Sequence, residues 1–236
     1  MNALILFDID ATMVTTGGLG VRAMGLAGKQ LFGDEFTTDG LDFAGRIDPL
    51  LVRELFANNR VARTPEAERA FRAAYGRHLA SLFDRSSLHT ALPGVGSLLD
   101  RLGDGKAGVL GVLTGNFAET GTLKLERCGI DPAQFAVAAW GDESPHEPPA
   151  RDHLPAVALG RFVERFGRAV EPGRVTIIGD TPHDVRCARV HGCRSLAVAT
   201  GKFSVEELER SGADRVVPDL TRTDDVVRWL DQDIPR

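Results

Sequence analysis

Two aspartates one residue apart, Asp8 and Asp10, follow the apolar run "ALILF" (3–7) inside the stretch "LFDIDATMV" (6–14). On an extended chain this spacing puts both carboxylates on the same side. A carboxylate there can attack an electrophile, move a proton or hold a hard cation. Two further acids, Asp180 and Asp184, follow the apolar run "RVTII" (174–178), and the turn Thr114-Gly115-Asn116 follows "GVLGVL" (108–113). In open parallel sheets, ligands bind beyond the carboxyl ends of the strands, so these segments converge on one rim. Four neighbouring carboxylates repel one another unless a cation sits among them. An oxygen-only donor set suits Mg²⁺, which takes few protein ligands and completes its shell with water and phosphate oxygens.

The elements that must position these residues are legible as alternating patterns. Short apolar runs at 3–7, 108–113, 136–140, 174–178 and 194–199, with a weaker one ending at Val217, read as buried strands. Helical periodicity covers 117–128, 153–166 and 204–211, where Ser204 and Glu207 form a capping-box pattern. A terminal amphipathic helix over 222–232 points Val226, Val227 and Leu230 inward. Strands alternating with helices imply an α/β fold, a Rossmann-like three-layer core with a parallel sheet covered on both faces. Residues 15–91 break the alternation. They read as helices 19–32, 48–58 and 65–83 with no buried strand. The expected organisation is an α/β core formed by 1–14 and 92–236, carrying an all-helical insertion at 15–91.

Bulk properties exclude several classes. The 236 residues carry a net charge of −5, with 43% hydrophobic and 26% charged residues, so no basic footprint for nucleic acid or an anionic membrane is present. No apolar run is long enough to span a bilayer and no leader pattern opens the chain. Three cysteines suit reduced thiols and a cytoplasmic protein. Monomer and dimer both stay open.

"FDIDATM", "VLTGN" and "IIGDTPHD" resemble, in order, motifs one, two and four of the haloacid dehalogenase-like (HAD) hydrolase superfamily. The helical insertion resembles that superfamily's type 1 cap. "FAGRIDPLL" (43–51) and "LTGNF" (113–117) look most like the phosphoglycolate-phosphatase-like branch. The resemblance implies a Mg²⁺-dependent phosphatase acting on a small phosphorylated metabolite. Asp8 is then the nucleophile and Asp10 the general acid and base. The metal is held by Asp8, the Asp10 carbonyl and Asp180, with Asp184 in support. Thr114, Gly115 and Asn116 bind the phosphoryl group. The family's usual lysine before motif four is missing, since no lysine lies between 125 and 201. Arg151 is the candidate in its place, offering a permanent charge and a fork of donors. His146 is a weaker stand-in, being largely neutral at pH 7. Arg46, in the insertion, is a candidate for the far end of the substrate.

Two other functions share these residues: a β-phosphoglucomutase-like phosphomutase, and a non-catalytic protein that kept the fold. A carbon–halogen hydrolase is disfavoured, because that branch lacks the second acid of the pair and the metal. The His183, Cys187, His191 spacing reads as packing, not zinc. "GDGKAG" (103–108) precedes a strand where a dinucleotide loop would follow one. Trp140 and Trp229 read as packing residues. Ala11 stands where a glycine would suit the turn, and the expectation is that it is tolerated with an ordinary negative φ, leaving Asp10 accessible.

Overall fold

A computed structural model describes residues 3–103, 105 and 107–232. Asp104 and Lys106 of the "GDGKAG" stretch, with 1–2 and 233–236, lie outside the described residues. Six strands form one parallel sheet: β1 (Leu4–Phe7), β4 (Val109–Leu113), β5 (Val137–Ala139), β6 (Val175–Gly179), β7 (Arg194–Val198) and β8 (Arg215–Val217). Their spatial order is β5-β4-β1-β6-β7-β8. β1 is central, with Phe7 level with Val112 of β4 on one side and Ile178 of β6 on the other. The strand order reverses at β1, and the three loops that follow β1, β4 and β6 therefore open side by side.

Both faces of the sheet are buried, and the alternation along β1 divides them. Ile5 and Phe7 pack under helices α4 (Val95–Leu102), α5 (Ala118–Arg127) and α9 (Thr223–Leu230) through Leu98, Leu102, Leu125 and Val226. Leu4 and Leu6 pack under α6 (Leu154–Phe166) and α7 (Pro182–Val190) through Leu154, Phe162, Cys187 and Ala188. In the terminal helix, Val226 and Leu230 are buried as expected and Val227 is half-buried. Trp229 is also buried, stacked 4.0 Å from the Arg194 guanidinium. α8 (Val205–Arg210) is started by the Ser204–Glu207 capping box read from the sequence.

Between β1 and β4 lie α1 (Leu19–Phe32), α2 (Asp48–Asn58) and α3 (Pro65–Arg85). They share a separate apolar core, built on Met24, Leu55, Phe56, Phe71 and Leu79 and joined from the sheet side by Phe117. The sequence pattern missed a two-stranded antiparallel ribbon, β2 (Val14–Thr15) with β3 (Thr90–Ala91), which ties the chain together where it leaves for these helices and returns. Strands of two residues are too short to show a period. No helix among the described residues is long and apolar enough to cross a membrane.

One expectation fails at the turn after β1. Ala11 has φ 55, in the left-handed region, not an ordinary negative value. The Ile9 carbonyl accepts from Met13 (2.9 Å) and Val14 (3.0 Å), while the Ala11 N–H donates to the Val14 carbonyl at 2.8 Å. A reversal that tight closes only through a left-handed residue. Alanine pays a strain there of about 1 kcal/mol that glycine would not. Ala11→Gly is therefore expected to raise stability by about 1 kcal/mol, read as a higher urea midpoint at unchanged m-value. An unchanged or lowered midpoint would contradict the strain. Ala11 does not close off its neighbour, since the Asp10 side chain keeps 43% exposure.

Candidate active site

Asp8, at the end of the central strand, is 4% exposed. Asp180 follows β6, and Asp184 is the third residue of α7. One carboxylate oxygen from each of the three lies within 4.8 Å of the others. Their satisfaction differs. Asp184 accepts from the Thr181 N–H (3.1 Å), the Thr181 hydroxyl (2.6 Å) and Arg151 Nη2 (2.6 Å). Asp8 meets the same Arg151 Nη2 at 3.1 Å, and Asp180 accepts from the Thr12 hydroxyl at 3.3 Å. Burial, opposed by Arg151 and reinforced by Asp184 and Asp10, pushes Asp8 up to about 6. Burial and the neighbouring Asp8 and Asp184 charges push Asp180 up to about 8. Arg151 stays charged: burial opposes this, but Asp184 and Asp8 outweigh it. Three buried acids against one guanidinium leave an excess of negative charge, and the donor set is all oxygen. That arrangement fits a hard divalent cation.

Asp10 faces another way. Its Oδ2 accepts from Asn116 Nδ2 at 2.8 Å and from Lys124 Nζ at 2.6 Å. Its carboxylate is not part of the three-acid cluster. Thr114 Oγ1 accepts from the Asn116 side chain at 2.8 Å, which leaves the hydroxyl proton to donate elsewhere. Gly115 is required by contact: a Cβ there would lie 1.9 Å from the Arg46 carbonyl oxygen of the helical unit.

The helical unit closes over these loops around a cavity of about 260 Å³. Asp8, Asp10, Thr114, Asn116, Arg151 and Asp180 line its sheet side, and Val21, Met24, Phe43 and Leu51 line the opposite wall. Asp48 docks the two halves. Its N–H donates to the Gly115 carbonyl at 2.7 Å, and its Oδ2 accepts from the Phe117 N–H at 2.9 Å. Burial pushes its carboxyl up to about 7, against the pull of Lys124. Ion pairs rim the same boundary, Arg72 with Asp142 at 2.6 Å and Lys202 with Asp42 at 2.8 Å among them.

The structure thus brings Asp8, Asp10, Thr114, Gly115, Asn116, Arg151 and Asp180 around one cavity, with Asp184 behind it on Arg151. Arg46 also lines it, but its guanidinium is engaged by Glu54 of α2, with Nη1 at 2.8 Å from Oε2. His146 falls outside, its ring 4.8 Å from that of His153. His191 contacts the Asp152 carbonyl and Cys187 is buried in the core, so the zinc spacing assembles no site. Sequence reasoning missed Lys124 and Asp48. For Lys124 a signal existed: Thr120 and Lys124 lie four residues apart on one side of α5, four residues on from Asn116 in the loop before it, and all three are buried.

The HAD-hydrolase-like family model matches residues 152–223, the segment that holds Asp180 and Asp184. No curated protein matches the sequence. Solved structures match along nearly the whole chain. A predicted phosphoglycolate phosphatase from Haemophilus somnus 129PT has TM-score 0.69 and 18% identity, covering 95% of this chain and 97% of its own. CbbY from Rhodobacter sphaeroides in complex with phosphate has TM-score 0.67 and 23% identity, covering 94% and 96%. β-Phosphoglucomutase from Clostridium difficile has TM-score 0.71 and 17% identity, covering 98% and 96%. At these identities the likeness is one of fold, and it takes in the helical unit as well as the sheet. The three motifs at the strand ends resemble those of the haloacid dehalogenase-like hydrolases, the family model of that description matches the segment holding two of the acids, and the solved structures share the fold that carries them.

Proposed function

We propose that this chain is a Mg²⁺-dependent phosphatase that hydrolyses a small phosphorylated metabolite through an aspartyl-phosphate on Asp8. The observation that carries the reading is the division of labour among the acids. Asp8 sits with Asp180 and Asp184 beside one arginine, while Asp10 is turned away on its own partners and open to the cavity. Asp8 is placed to attack phosphorus, and Asp10 to give a proton to the leaving oxygen and then take one from the attacking water. Arg151, the Thr114 hydroxyl and the amides of Gly115 and Asn116 would hold the phosphoryl oxygens. Mg²⁺ would be held by Asp8, the Asp10 carbonyl and Asp180, with Asp184 orienting Arg151. When bound, it supplies charge neutralisation and orientation of the phosphoryl group.

We read residues 15–91 as a cap that excludes water and carries specificity. The cavity volume and its apolar wall support a small phosphoester, phosphoglycolate-like or sugar-phosphate-like. CbbY from Rhodobacter sphaeroides has been captured with phosphate and, as a mutant, with xylulose-(1,5)bisphosphate. Arg46 would meet a distal anion only by leaving Glu54. A cytoplasmic setting accords with three cysteines that form no disulfide. The test is phosphate release from a panel of small phosphoesters with and without Mg²⁺. Release from at least one member, dependent on Mg²⁺, is expected. No release from any member, or transfer to a second hydroxyl in place of water, would overturn the phosphatase reading.

The raised acids give a stability prediction with a definite sign. Folded Asp8 and Asp180 bind a proton more tightly than in the unfolded chain, where the ordinary value is 3.8. Metal-free stability must then fall as pH rises from about 4 towards about 8. A cation that relieves the repulsion acts mainly at the upper end. Mg²⁺ is expected to raise Tm more at pH 8 than at pH 5, in thermal melts with and without the ion. An equal shift at both pH values, or none, would contradict the placement of the cation.

A further inference from the structure

Among the described residues Lys124 is the one lysine buried at the cavity, its side chain 5% exposed, and no motif loop supplies it. Its Nζ donates to Asp10 Oδ2 at 2.6 Å and to Asn116 Oδ1 at 2.5 Å. Asn116 Nδ2 donates to the same Oδ2 at 2.8 Å, so three groups form a closed triangle on one oxygen of Asp10. Both hydrogen bonds fall on Oδ2, and the Asp10 side chain lines the cavity with 43% of its surface exposed. The helical unit seals the lysine from the other side. Gly20 of α1 lies over it, and a Cβ there would be in ordinary contact with Nζ at 3.7 Å and with the Tyr75 hydroxyl at 3.6 Å.

We propose that Lys124 is the positioning residue of Asp10, pinning Oδ2 together with Asn116 so that Oδ1 alone faces the reacting group. The inference rests on the phosphatase reading. In the first step Asp8 forms a bond to phosphorus, the bond to the leaving oxygen breaks, and that oxygen takes the proton from Asp10. In the second, water attacks phosphorus, its proton passes to Asp10, and the bond to Asp8 breaks to release phosphate. A carboxylate free to rotate serves neither transfer well. Lysine suits the place because its ammonium offers several donors on a flexible stem and so can serve both acceptors at once.

p-Nitrophenyl phosphate separates the steps, because its leaving oxygen departs without a proton whereas hydrolysis of the aspartyl-phosphate still needs Asp10. Rapid-mixing kinetics with saturating Mg²⁺ are therefore expected to show that Lys124→Met keeps the initial burst of p-nitrophenolate near the wild-type rate. Its steady turnover should fall on the order of 10²-fold. Lys124→Gln, which keeps a donor towards Oδ2 without the charge, should lose less, again only in the steady phase. Should Lys124→Met fail to fold, Lys124→Gln carries the same comparison. A wild type with no Mg²⁺-dependent turnover would overturn the phosphatase reading and this inference with it. A wild type that turns over, beside variants that match it in both phases or lose both phases equally, would overturn the assignment to Lys124 alone.

Discussion

Asp8→Asn is expected to lower kcat on any phosphoester substrate by at least about 10⁴-fold while leaving the protein folded. The amide matches the carboxylate in shape but cannot attack phosphorus or carry the phosphoryl group. Nothing else in the mechanism substitutes for it, because Asp10 is committed to Lys124 and Asn116 and Asp184 to Thr181 and Arg151. Packing is untouched: the position is fixed by its backbone N–H on the Ile178 carbonyl at 2.9 Å, in the middle of a sheet buried on both faces. The change also removes one of three mutually repelling buried acids. Metal-free Tm at pH 8 should therefore stay level or rise. Activity within tenfold of wild type, or loss of activity only through unfolding, would contradict the role of Asp8.

Arg151→Ala has the second largest expected effect, and it acts on both stability and rate. The guanidinium is buried and joins Asp8 at 3.1 Å to Asp184 at 2.6 Å. Removing one partner of a buried ion pair leaves uncompensated charge and costs roughly 3–5 kcal/mol. Loss of a preorganised donor to the phosphoryl group costs on the order of 10²–10³ in kcat. Arg151→Lys keeps the charge and loses the fork, so it should fall between wild type and Arg151→Ala on both scales. Denaturant unfolding and steady-state kinetics on the three proteins check this. If Arg151→Ala is as stable and as active as wild type, the cation of this site lies elsewhere.

The site was legible wherever it follows strands. Parallel strands buried on both faces read as continuous apolar runs, and the acids that interrupt them at their ends have no packing reason to be there. Asp8, Asp180 and the Thr114-Gly115-Asn116 turn come together because β1 lies between β4 and β6 in register; the runs mark the strands, while their order is seen only in the fold. What stayed hidden depends on the helical unit. In "LKLER", Lys124 sits among residues that read as an ordinary charged helix face. Only the docking of α1, α2 and α3 buries it. Asp48 opens α2 in a place where an acid complements the helix dipole anyway, so its bond to the Phe117 N–H was disguised. The φ of Ala11 is set by hydrogen bonds between residues 9 and 14, which a residue-type preference does not report.

The central claim is that the phosphoryl group passes through Asp8. It is tested most directly by quenching wild-type turnover in acid with Mg²⁺ and a working phosphoester, then locating the phosphoryl group by peptide mass spectrometry. The expected result is an acid-stable, base-labile phosphoryl group on the peptide that contains Asp8, absent without Mg²⁺ and absent in Asp8→Asn. Turnover with no phosphorylated peptide at any quench time, or with the phosphoryl group on another residue, would contradict the account.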